Sequence, residues 1–163
     1  MPFTRDQCLQ ALASWQPAQV FLDSYRTRQL PENCSIYFGP PEEFFLASDS
    51  QRFYGDGRIM PILDDGNFGA VTFHDPDARR LLEIYVETPG EVCAEFNNWQ
   101  QYLANLLRRI GEAEDDDARM LRMSELLGFR YAEELFDFWH RTNILRSDEL
   151  NAEWRIFLAG IRV

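Results

Sequence analysis

The hydrophobic period of this chain changes twice, and that double change is what most limits the fold it can adopt. In the first 30 residues apolar side chains recur at helical spacing, as Cys8, Leu9, Leu12 and Trp15, then as Val20, Phe21 and Tyr25. Thr4 stands three residues ahead of Gln7, a capping-box pattern that predicts a helix from about residue 5 to 15. Pro17 is placed to open a second, short helix through "AQVFLDSYRT", and Pro31 to end it. Between residues 33 and 96 the runs become short and strand-like: "CSIYF", "RIMPIL", "NFGAVTF" and "LLEIYVE". The last of these alternates, which predicts a buried face of Leu82, Ile84 and Val86 and a wet face of Glu83, Tyr85 and Glu87. From Phe96 a helical stripe returns through Trp99, Leu103, Leu106, Leu107 and Ile110. Three more helices are expected: "ARMLRMSELLG" closed by Gly128, "YAEELFDFWHR", and one opened by Ser147.

Short connections between strand-like runs favour an antiparallel meander over parallel crossover units. The expected fold is therefore α+β: a meander sheet (31–95) flanked by N-terminal helices (1–30) and a C-terminal helical extension (96–163). At 163 residues, a single domain with a sizeable core is the expectation.

The stretch "PILDDGNFGAVTF", Pro61 to Phe73, reads as either a cation-binding loop or a hairpin turn. A calcium loop counted from Asp64 needs oxygen ligands at its third and fifth positions, and these are Gly66 and Phe68. The turn reading is stronger, because Asp-Gly between two apolar runs supplies the positive φ a tight hairpin requires, with Gly66 and Asn67 as the expected positions.

Charge narrows the function. The chain carries a net −11, and residues 31–95 hold 13 Asp and Glu against 4 Arg, a net −9. Nucleic acid and anionic lipid both require a basic surface, so neither is expected as a partner; a basic protein is. The run "EAEDDD" at 112–117 sits where a following helix N-terminus favours acids and reads as a solvated break. No apolar run approaches a membrane span, and "MPFTRDQCLQ" lacks the order of a secretory signal, so a soluble cytoplasmic protein is expected. The three cysteines, Cys8, Cys34 and Cys93, fall in no metal-like spacing and predict buried thiols in a reducing compartment.

Catalytic signals are thin. His74, in "FHDPD", lies beside Asp75 and Asp77 and is the best candidate for a general base. His140 has no such neighbours, no serine stands in G-x-S-x-G or S-x-x-K, and "YGDG" at 54–57 lacks the rest of a phosphate-binding fingerprint. Glu83 and Glu87, four residues apart on an extended strand, would be separated by about 13 Å, beyond the reach of a glycosidase pair. Neither a metal nor a cofactor is expected. An acidic sheet side that steers a basic partner is the simpler reading. Its candidate residues are Asp56, Asp64, Asp65, Glu83 and Glu87, with Tyr54 and Tyr85 as aromatic anchors. Two alternatives stand beside it: a small hydrolase using carboxylates and His74, and a structural, self-assembling module built on the C-terminal helices.

The ordered pattern "FLASDSQRFYGDGRIMPILDDGNFGAVTFHDPDARRLLEIYVE", followed by "AEFNNWQQYLANLLRRI" with Phe96, Trp99, Tyr102 and Leu103 leading a helix, resembles the SUKH superfamily. That superfamily includes bacterial immunity proteins and related fungal cell-wall-synthesis regulators. The resemblance spans about residues 44–110. It implies an α+β domain with a curved antiparallel sheet, acting by protein binding and not by catalysis. In an immunity-type member the partner would be a cognate toxin, often a nuclease or deaminase with a basic cleft.

Overall fold

A computed structural model describes residues 1–114, 116–143 and 146–162. Asp115, in the acidic run, lies outside the described residues. The chain divides into two compact units, Met1–Asn97 and Asn98–Val163.

The first unit opens with α1 (Arg5–Ala13), held by the expected capping box: Gln7 N–H donates to Thr4 Oγ1 at 3.3 Å, and Thr4 N–H to Gln7 Oε1 at 2.8 Å. The second helix, α2 (Gln19–Ser24), starts after Ala18 and stops a turn earlier than its apolar pattern suggests. Pro31 begins a short 3₁₀ segment, Pro31–Ile36, so "CSIYF" is not the strand its composition predicts. Glu32 and Asn33 take left-handed φ values of 51° and 56°, which turns the chain instead of extending it, and Cys34 is buried within that turn. Only Gly39 makes a strand-like bridge from this region, to Asp64. A five-residue helix α3 (Glu42–Leu46) and two 3₁₀ turns, Ser48–Phe53 and Gly55–Gly57, complete the approach to the sheet.

The sheet is a four-stranded antiparallel meander, as the short connections predict: β1 (Met60–Asp64), β2 (Ala70–Asp75), β3 (Arg80–Tyr85) and β4 (Val92–Phe96), in that spatial order. The fourth strand was not expected, because "VCAEF" is too short and too mixed in character to stand out. Phe96 is consequently its last, buried residue and not the start of a helix. Pro61 is tolerated because β1 is an edge strand. A bulge between Pro61 and Leu63 leaves Ile62 without a cross-strand partner, and the buried Tyr25 hydroxyl donates to the Ile62 carbonyl at 2.6 Å.

One sheet face packs on the preceding segment: Phe44, Tyr54 and Ile59 lie against Val71, Phe73, Leu82 and Ile84. Phe44 and Tyr54 meet edge to face at 4.9 Å, and Tyr54 stacks on Phe73 at 5.1 Å. The opposite face is buried as well, with Leu81, Thr72 and Glu83 all below 6% exposed.

The second unit contains α4 (Trp99–Ala113), α5 (Asp117–Leu127), α6 (Ala132–Thr142) and α7 (Ser147–Gly160). Asn98 caps α4 by accepting from Gln101 N–H, and Asp116 caps α5 by accepting from Arg119 N–H. Gly128 closes α5 at φ 73°, the left-handed stop expected of it. Phe138, Trp154 and Phe157 form a ring cluster between α6 and α7, with centroids 5.1 to 5.4 Å apart.

Candidate partner-binding groove

The segment Phe53–Ile59 does not reach across the whole sheet. Beside it, over β3 and β4, an open groove of about 500 Å³ remains. Cross-strand register explains its floor. Leu82 pairs with Glu95 and Ile84 with Val92, so these four side chains leave the sheet on the same side, and Ile59 closes the floor from the neighbouring segment. Phe53, 61% exposed, and Val92, 45% exposed, stand at its lips. Pro89 and Gly90, in the turn before β4, bound one end.

The other end is charged. Asp75 Oδ1 accepts the N–H groups of Asp77 (3.1 Å) and Ala78 (3.2 Å), and Arg80 Nε donates to Asp75 Oδ2 at 3.1 Å. Arg80 also donates to Glu95 at 2.8 Å. Partial burial alone would raise the Asp75 pKa, but the Ala78 N–H and the Arg80 guanidinium outweigh it and hold the carboxyl below its usual value. Asp56, on the 3₁₀ turn with φ 54°, faces Arg58 at 3.4 Å.

The predicted site residues do not gather into one acidic face. Asp56 is on the groove rim. Asp64 and Asp65 lie in the β1–β2 hairpin, where their carboxylates hold the turn: Asp64 accepts from Gly66 N–H at 2.8 Å, and Asp65 from Asn67, Gly69 and Ala70 N–H at 3.0 to 3.2 Å. The turn reading of this stretch is thus right, with one change: the positive φ values belong to Gly66 and Phe68, not Gly66 and Asn67. Phe68 is kept there by its ring, which packs edge to face on Phe44 at 5.1 Å.

Two candidates are corrected outright. Glu83, expected on a wet face, is 5% exposed because the sheet is covered on both sides. Tyr54, expected as an exposed anchor, is 4% exposed, and its hydroxyl donates to the Val86 carbonyl at 3.1 Å. Glu87 lies in the exposed turn after β3, and Tyr85 is half-exposed at that strand's end. Sequence reasoning missed Phe53, Arg80, Val92 and Glu95. The signal for Arg80 was available in its spacing from Asp75 across a tight turn, whereas the other three gain meaning only from strand register.

The His74 constellation is not assembled. Residues 74 and 75 are neighbours on β2, so His74 leaves one sheet face and Asp75 the other. His74 Nδ1 accepts the Trp15 indole N–H at 3.2 Å, with the rings edge to face. Desolvation pushes the His74 pKa down, against the pull of Asp75. Among the described residues no group of three or more His, Cys, Asp or Glu is arranged to hold a metal ion, and no helix is long and apolar enough to cross a membrane. Of the three thiols, Cys8 and Cys34 are buried as predicted but Cys93 is exposed, because β4 is an edge strand with a mostly wet surface. No protein-family model, curated protein or solved structure matches this chain.

Proposed function

We propose that this chain is a non-catalytic protein-binding module that engages a basic protein, in the manner of an immunity protein that covers the cleft of a toxin. The observation that carries the reading is the groove over β3 and β4: an open cleft of about 500 Å³ above the buried Leu82 and Ile84, flanked by the exposed Phe53 and Val92, in the part of the chain with a net charge of −9. An open apolar groove with a charged end suits recognition, the apolar part supplying affinity and the charge supplying steering and register. Its most buried carboxylate, Asp75, is held by turn N–H groups and Arg80, which favours a binding role over proton transfer.

The test is affinity capture on the immobilised chain, followed by reconstitution of the captured protein in pure form. The expected result is a one-to-one complex with a protein of isoelectric point above about 8, weakening at least tenfold between roughly 50 and 300 mM salt. A partner that is acidic, or binding that ignores salt, overturns the reading.

A further inference from the structure

We infer that the groove takes an extended segment of the partner, about four residues long, with apolar side chains seated between Phe53 and Val92 and a Lys or Arg at the Asp75–Asp77 end. This inference rests on the protein-binding reading above. Three observations define the occupant. The floor follows β3 from Arg80 to Ile84, four residue steps, or about 13 Å at about 3.3 Å per step, which an extended chain spans with four residues. Phe53 and Val92, both exposed, flank that run and offer apolar contact to a segment lying along it.

Charge then fixes the polarity. Arg58 is paired with Asp56. Arg80 is shared between Asp75 and Glu95, and Asp77 lines the same end, so the lining carries three carboxylates, Asp56, Asp75 and Asp77, against two guanidiniums, Arg58 and Arg80. The surplus is negative, and a Lys or Arg entering beside Asp77 completes it. The apolar lips then accept side chains of the same segment, and a Lys or Arg stem can lie along Leu82 with its head at the carboxylates.

A random octapeptide library displayed on phage, selected on the immobilised full chain, tests this. Enrichment of sequences with alternating Leu, Ile, Val or Phe and a flanking Lys or Arg is expected. A synthetic peptide of the enriched sequence should bind Phe53→Ser about tenfold more weakly and Asp77→Arg about fivefold more weakly. It should bind Asp137→Arg, an exposed site in the other unit, like the parent chain. Both groove substitutions are at exposed positions, and unchanged thermal melting verifies that they leave the fold intact. Enrichment of acidic sequences, no enrichment at all, or a peptide indifferent to both groove substitutions overturns the inference. If the purified basic partner binds both groove variants at unchanged affinity, the groove is wrong while the protein-binding reading stands. If the parent chain captures no basic protein, that reading fails and the inference falls with it.

Discussion

Gly66 is pressed against Ile36: a methyl group built on its α-carbon would fall inside van der Waals contact with the Ile36 carbonyl and 3.0 Å from Tyr37 N, and its φ is +82°. The hairpin turn and the 3₁₀ segment before α3 are therefore fitted to each other through one residue without a side chain. Gly66→Ala adds a left-handed Cβ and a backbone clash, and we expect it to lower unfolding free energy by about 2–3 kcal/mol. Gly90→Ala, where nothing stands within 4 Å, should change stability by less than about 0.5 kcal/mol. Urea denaturation of both variants makes the comparison.

Asp64 and His74 pull pH-dependent stability in opposite directions. Burial, reinforced by Asp65, pushes the Asp64 pKa up to about 6 from 3.8. Its ionised form is disfavoured in the native state, so the native chain takes up a proton first and gains stability as pH falls from about 6 to 4. Asp64→Asn should keep the acceptor for Gly66 N–H, add roughly 1 kcal/mol at pH 7.5 after allowance for solvent screening, and flatten that window.

For His74 the shift is downward, so the unfolded chain binds the proton first. The stability contributed by the neutral ring is full above about pH 6.5 and is lost as pH falls from there through the lower native value. Protonation also removes the Nδ1 acceptor for the Trp15 indole. His74→Gln should be less stable than the parent at pH 7.5 and should lose less on going to pH 5.5. Denaturation of the parent, each single variant and the double variant at both pH values separates the two groups.

Thiol labelling offers a direct check on the first unit. Cys93 should react with an aromatic disulfide reagent in the native protein, whereas Cys8, buried and with its pKa pushed up to about 12, and the buried Cys34 should not. One equivalent released in buffer and three in denaturant is the expected count.

In the second unit, a Cβ on Gly111 would stand 3.0 Å from the Trp139 ring. Gly111→Ala gains up to about 1 kcal/mol of helix propensity and spends it on moving that ring, so a net change within about 1 kcal/mol is expected. Gly111→Leu cannot be accommodated by a small shift and should cost about 2 kcal/mol or more, read by thermal melting.

Local chemistry determined much of this protein from sequence alone. The capping box at Thr4 and Gln7, the left-handed stop at Gly128, the Asp-Gly hairpin and the antiparallel meander each depend on a few adjacent residues whose backbone preferences act in isolation. Tertiary structure decided the rest. Glu83 alternates as a wet residue should, yet it is buried, because alternation reports strand pleat and not whether both faces are covered. "CSIYF" has strand composition, but two left-handed residues ahead of it bend the chain into a turn. Phe68 holds a positive φ through a ring contact with Phe44, 24 positions away. The groove is a product of register: β3 and β4 pair so that Leu82, Ile84, Val92 and Glu95 share one face, and the Phe53–Ile59 segment buries the first two and leaves Val92 and Glu95 exposed. Phe53 and Val92, 39 positions apart in the chain, become one surface only when tertiary packing sets their distance and direction.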